Sequence, residues 1–204
     1  MDLKYEFRRN KLTLEIEVRN INGKRFVLLD EAFINSIWID LQIDGYKASD
    51  STLMKLLNSK LTEEFNPLVD YFESLPHWDG HDYIGELAQT VTIKDVTINK
   101  RNLEDLWRPY LEKWLIASVA TAIGKGVNHL CLILVSGQGV GKTTWLNKLC
   151  PDSMKDFLIC SHINPSLTDQ NTSNFLAEKW FVNVDDQLET IFGKDFNSMK
   201  AIIT

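Results

Sequence analysis

HLCLILVSGQGVGKTTWLNKLC, residues 129–150, holds three patterns in succession: a nearly continuous apolar run, a glycine-rich turn, and a Lys-Thr-Thr start to a mixed apolar and polar stretch. An apolar run without alternation is what a parallel strand covered on both faces requires, so residues 129–135 are expected to form one. Gly137, Gly139 and Gly141 let the backbone turn tightly and bring its N–H groups close to an anion with no Cβ in the way. A helix over residues 141–149, halted by Pro151, would present the positive end of its peptide dipoles to the same anion.

This arrangement fits the phosphate-loop pattern GxxxxGK[ST], with Ser136 in place of its first glycine. On that reading Gly137, Gln138, Gly139, Val140 and Gly141 wrap the phosphates and Thr144 closes the loop. Lys142 reaches the β and γ oxygens, and the Thr143 hydroxyl ligates a magnesium ion bridging them. The simpler alternative is a glycine-rich strand-to-helix turn without a ligand. Asn147-Lys148 does not supply a guanine-selecting NKxD motif, because its fourth position is Cys150, so ATP with Mg2+ is the expected ligand.

Downstream, Trp180 to Val184 reads as a second apolar strand, interrupted by Asn183 and ending in Asp185-Asp186. Carboxylates at that point suit a phosphate-loop enzyme: Asp185 would hold the metal through water, and Asp186 would polarise an attacking water as general base. Asp186 is one carbon shorter than the Glu usual there, and the pair could instead cap a helix starting near Gln187. Residues 157–160 look like a further strand and residues 167–177 like a helix. The alternation predicts an α/β fold with a parallel sheet.

Upstream, Leu12, Leu14, Ile16 and Val18 alternate with polar residues at the period of a half-buried strand. With the Asn22-Gly23 turn and residues 25–29 they predict a β-hairpin within residues 4–29. Its basic residues, Arg8, Arg9, Lys11, Arg19, Lys24 and Arg25, are either a nucleic-acid contact or a solvated face. Asp30 can cap a helix with Phe33, Ile37 and Leu41 on one side, ended by Gly45, and a second helix starts near residues 49–51. A helix from Pro67, a turn at PHWDG (residues 76–80), a helix over about 82–91 and a long amphipathic helix through Leu103, Trp107, Leu111 and Trp114 complete the region. Three segments result: 1–64 as a possible binding domain, 65–126 as a helical connector, and 127–204 as the phosphate-loop core.

The 204 residues are 44% apolar, enough for a sizeable core, and no apolar run approaches the roughly 20 residues of a membrane span. The charged start MDLKYEFRRN lacks the apolar core of a signal peptide, which points to the cytoplasm. A net charge of −6 excludes a wholly basic surface but not a local basic patch. Cys131, Cys150 and Cys160 form no CxxC pair and are expected to be free thiols. His77 and His81 flank a turn and read as ordinary loop histidines.

Four landmarks coincide: WDG at residues 78–80, GQGVGKTT at 137–144, VDD at 184–186 and MKAIIT at 199–204. Together they resemble the virulence-associated protein E family of phage and mobile-element ATPases, related to superfamily 3 helicases and often found with primase domains. The resemblance covers roughly residues 65–204. It implies an AAA-like core, preceded by the α+β region, that assembles around DNA, as a hexamer by family likeness, in replication of the element. It also implies phosphate contacts from Gly139, Gly141, Lys142 and Thr143, and magnesium and water handling by Asp185 and Asp186. The family continues past the acidic strand with a sensor strand, a DNA-facing hairpin and an arginine finger, so a fragment without helicase activity of its own is expected. A rival reading is a nucleotide-responsive module that recruits a replication or packaging partner with little hydrolysis.

Overall fold

Asn10 organises the first turn of the chain. Its buried side-chain carbonyl accepts the N–H groups of Leu12 (2.9 Å) and Thr13 (3.4 Å), folding residues 11–15 back on themselves. Strand β1 (Tyr5–Asn10) therefore ends there, and β2 (Ile16–Asn20) returns antiparallel beside it, Phe7 opposite Val18. The alternation read from residue 12 is corrected accordingly: Ile16 and Val18 are buried, but Leu14 lies in the turn, 73% exposed and at a φ of 61°. An apolar residue at the right period was overruled by the local hydrogen bonds of Asn10.

The computed structural model describes residues 4–94, 97–98, 101–160, 176 and 178–184. It divides into two units, Met1–Ser74 and Leu75–Thr204. In the first, β3 (Val27–Leu28) extends the hairpin antiparallel to β2, and β4 (Glu63–Phe65) joins β1 in parallel, giving the order β3-β2-β1-β4. Helices α1 (Glu31–Ile43) and α2 (Asp50–Leu57) bury Ile37, Leu53 and Leu57 against Ile16 and Val18. Asp30 caps α1 by accepting the Phe33 N–H at 2.8 Å. Gly45 ends the helix with a φ of 86°, its N–H bonding Gln42 O while that of Tyr46 bonds Leu41 O. Ser49 caps α2, and Asn66 precedes Pro67 at the first position of α3 (Pro67–Ser74).

The second unit is built on one long helix. After α4 (Tyr83–Gln89), capped by Asp82, two short strands β5 (Thr97–Ile98) and β6 (Arg101–Asn102) lead into α5 (Leu103–Ala122). Trp107, Leu111, Trp114 and Ser118 recur at intervals of three and four along α5 and share one face. Leu111 is fully buried, Trp107 donates to Ala88 O at 2.9 Å, and Trp114 donates to Leu130 O at 3.2 Å. Trp180 Nε1 reaches Ser118 O at 3.2 Å. The chain then forms α6 (Lys142–Lys148), a short 3-10 turn (Asp152–Phe157), β7 (Leu158–Cys160) and β8 (Phe181–Asn183). Strands β7 and β8 pair in parallel, Leu158 opposite Phe181.

The architecture is thus mixed α/β with small sheets, and one expected strand is missing. Residues 129–135 run irregularly, with Leu130, Ile133 and Val135 exposed. A strand exists only through its neighbours' N–H and C=O groups, and this segment pairs with no strand among the described residues. The Leu130 N–H turns instead to Asn128 Oδ1 at 3.0 Å. The expected helix over 167–177 falls outside the described residues apart from position 176.

Tyr5 donates its hydroxyl to Asp40 at 2.6 Å, linking β1 to α1. That hydrogen bond to a carboxylate, together with partial burial, pushes the Tyr5 pKa up to about 12. A raised folded-state value favours the protonated phenol, so this contribution to stability is whole below the ordinary tyrosine value and is lost as pH rises towards 12. An NMR titration of the Tyr5 ring should show ionisation near pH 12 in the native chain and a return towards about 10 in Asp40→Ala.

Candidate functional site

The glycine-rich loop turns on two glycines in the left-handed region: Gly139 at a φ of 79° and Gly141 at 84°. A side chain at either position would be strained there, although a Cβ placed on Gly137, Gly139 or Gly141 would meet none of the described residues within 4 Å. Among the described residues the space over the loop is therefore open. Ser136 and residues 138–144 line a single shallow cavity of about 670 Å³. Of the eight residues expected to bind phosphate, 137–144, all but Gly137 line this cavity, from the turn and from the start of α6.

Lys142 folds back over the loop. Its ammonium donates to Gly137 O at 3.0 Å, Ser136 Oγ at 3.1 Å and Ser136 O at 3.4 Å. The hydroxyl at the first motif position, where glycine is usual, is thus one of the atoms that hold the lysine. Among the described residues no side chain caps α6 at Gly141, and its first residues, Lys142 to Thr144, line the cavity. With seven residues α6 is only two turns long, and its dipole is a small supplement to the full charge of Lys142. A cationic ammonium, closely spaced N–H groups and the hydroxyls of Thr143 and Thr144 suit a polyphosphate, and the Thr143 hydroxyl suits a hard cation bound with it.

Polar contacts on two sides hold α6 in place, and neither set was foreseen from the motif. On one side Trp145 donates to Thr90 Oγ1 at 2.7 Å and packs on Trp107 with ring centroids 6.2 Å apart. On the other, Asn183 of β8 donates to Asn147 Oδ1 at 2.8 Å and approaches Thr143 O at 3.5 Å. Asn183, which breaks the apolar pattern of its strand, is thus a contact between that strand and the helix after the loop. Asp185 and Asp186, the expected metal and water ligands, lie outside the described residues.

The basic hairpin gives little to an external anion. Arg8 pairs with Glu17 at 2.6 Å and lies between the rings of Phe26 and Phe65, 3.9 and 3.7 Å from their centroids. Arg19 pairs with Glu6 at 2.5 Å and Lys11 with Glu64 at 3.2 Å, while Arg9 donates to Leu57 O and Asn58. Of the hairpin's basic residues singled out from sequence, Lys24 and Arg25 alone form no ion pair or side-chain hydrogen bond among the described residues. Four of these six residues are thus engaged by partners within the first unit.

The WDG corner is a self-bonded turn. Trp78 Nε1 donates to His81 O at 2.8 Å, and Asp79 accepts the His81 N–H at 2.9 Å and the Tyr83 hydroxyl at 2.7 Å. These donors, the His81 N–H foremost, hold the Asp79 carboxyl below its usual range. Gly80 takes a φ of 90° between them. His81 Nε2 lies 2.9 Å from Glu86, and no cluster of metal-ligating side chains occurs among the described residues.

Residues 72–204 match the virulence-associated protein E-like domain. The chain belongs to the virulence-associated protein E-like family. The matched span begins close to the start of the second unit and contains the WDG corner, the glycine-rich loop and the acidic pair, so the family landmarks and the candidate site fall in one continuous stretch. No curated protein matches the chain. Among the described residues no helix is long and apolar enough to cross a membrane.

Because Gly141 is left-handed and its surroundings are open, Gly141→Ala tests the backbone alone. The substitution should destabilise the second unit by about 1 kcal/mol, read as a lower urea midpoint. An unchanged midpoint would show that the loop adopts another backbone in solution.

Proposed function

We propose that this family member is a phosphate-loop ATPase of a phage or mobile element, binding Mg-ATP on residues 137–144 and acting on DNA during replication. The observation that carries the reading is the convergence of Lys142, Thr143, Thr144 and the loop glycines on one cavity, with the lysine ammonium held over it by the loop's own oxygens. Lys142 would neutralise the terminal phosphates and Thr143 would ligate the metal, which lowers the charge barrier to attack on the γ-phosphate. Asp185 is proposed to hold the metal through water, and Asp186 to orient and deprotonate the attacking water.

Family membership supports the mobile-element context. An AAA-like core, a hexamer around DNA, helicase-like strand separation and a primase partner are proposals drawn from the same resemblance. The parallel pairing of β7 with β8 is compatible with such a core.

Calorimetric titration of the chain with Mg-ATP tests the nucleotide site directly. Lys142→Ala should weaken binding roughly 100-fold, since it deletes the one full charge among the described residues that line the cavity and its charge-assisted hydrogen bonds. Its unfolding midpoint should stay close to that of the native chain. Equal binding by both proteins, or none by the folded native chain, would overturn the reading.

A further inference from the structure

We infer that Asn183 is a positioning residue for the proposed magnesium ligand Thr143, acting through the first turns of α6; the inference rests on the Mg-ATP reading above. Strand β8 is otherwise apolar, and an amide in such a strand costs free energy unless it is hydrogen-bonded. Asn183 is half-buried, and its Nδ2 donates to Asn147 Oδ1 at 2.8 Å across 36 positions of sequence. The same amide lies 3.5 Å from the carbonyl oxygen of Thr143, one helical turn before Asn147. One side chain therefore contacts both ends of the turn that presents the Thr143 hydroxyl.

The consequence is selective. Phosphate contacts come from the loop backbone and from Lys142, which the loop itself holds. Metal ligation depends on the angle at which Thr143 leaves α6, and a hard, octahedral cation tolerates little error in the placement of its oxygens. Loosening the Asn183 contact should therefore weaken the metal-dependent part of binding and spare the metal-free part. A residue that merely packed the sheet would lower both together.

The test compares ATP affinity with Mg2+ and with EDTA in the native chain, Asn183→Ala, Asn147→Ala, the double variant and Asn147→Asp. Asn183→Ala should lose about tenfold of the enhancement that Mg2+ brings, the scale of one half-buried hydrogen bond, with metal-free affinity unchanged. Asn147→Ala, which leaves the approach of Asn183 to Thr143 O, should lose part of that enhancement, and the double variant should be no worse than Asn183→Ala, which already removes the Asn147 contact. Asn147→Asp keeps the acceptor and should retain the native ratio. Val182→Ala, on the same strand and partly exposed, should also leave the ratio intact. If Asn183→Ala does not fold, Asn147→Ala reports the same contact from the helix side. An unaltered Mg2+ enhancement in the folded alanine variants, or equal losses with and without metal, would overturn this inference alone. Absence of binding by the folded native chain would overturn the nucleotide site with it.

Discussion

The second unit depends on a single stripe along α5. Trp107, Leu111, Trp114 and Ser118 sit on one face of a 20-residue helix; Leu111 is fully buried, and the other three each meet a different part of the chain. Trp107 bonds α4 and stacks on the helix that follows the glycine-rich loop. Trp114 holds the segment before that loop and packs on Phe181 of β8, with ring centroids 5.8 Å apart. Ser118 receives Trp180 on its carbonyl, and its hydroxyl accepts the Asn128 amide at 3.1 Å. Large indoles suit this task because each combines a broad apolar body with one polar donor, so it can fill space and fix orientation together.

That stripe explains why a loop with little packing of its own takes a definite place. Gly137, Gly139 and Gly141 contribute no side chains, and the cavity they border is shallow. Position comes from the elements on either side: Leu130 is tied to Trp114 before the loop, while Trp145 and Asn147 are tied to Thr90 and Asn183 after it. The loop can keep its glycines, and hence its close approach to an anion, because the surrounding side chains supply the rigidity that glycine lacks.

Much of this was legible in the residues. Helix ends were marked by Asp30, Gly45, Ser49 and Pro67, whose local hydrogen bonding does not depend on distant contacts. The glycine spacing likewise marked the turn in which Gly139 and Gly141 are left-handed. Three features were not legible. The turn at Asn10 defeated an alternation that looked continuous through Leu12 and Leu14, because a side-chain hydrogen bond to the backbone outweighs the weak preference of two leucines for one face. The contact between Asn183 and Asn147 is tertiary: periodicity registers a polar residue in an apolar strand as an interruption and is silent about the helix it meets. The expected strand at 129–135 has a similar cause, since composition shows what could be covered on both faces but not whether a neighbour is there to pair with it.

The irregular course of residues 129–135 also bears on how the protein behaves in concentrated solution. Leu130, Ile133 and Val135 stand in solvent on a stretch that carries no charged side chain, no proline and no bulge to discourage association. Beyond Leu130, whose N–H and carbonyl are taken by Asn128 and Trp114, such a stretch offers apolar side chains to an extended backbone of suitable shape, including the same stretch of another molecule. Self-association through it would be the unproductive counterpart of the sheet pairing that its composition favours.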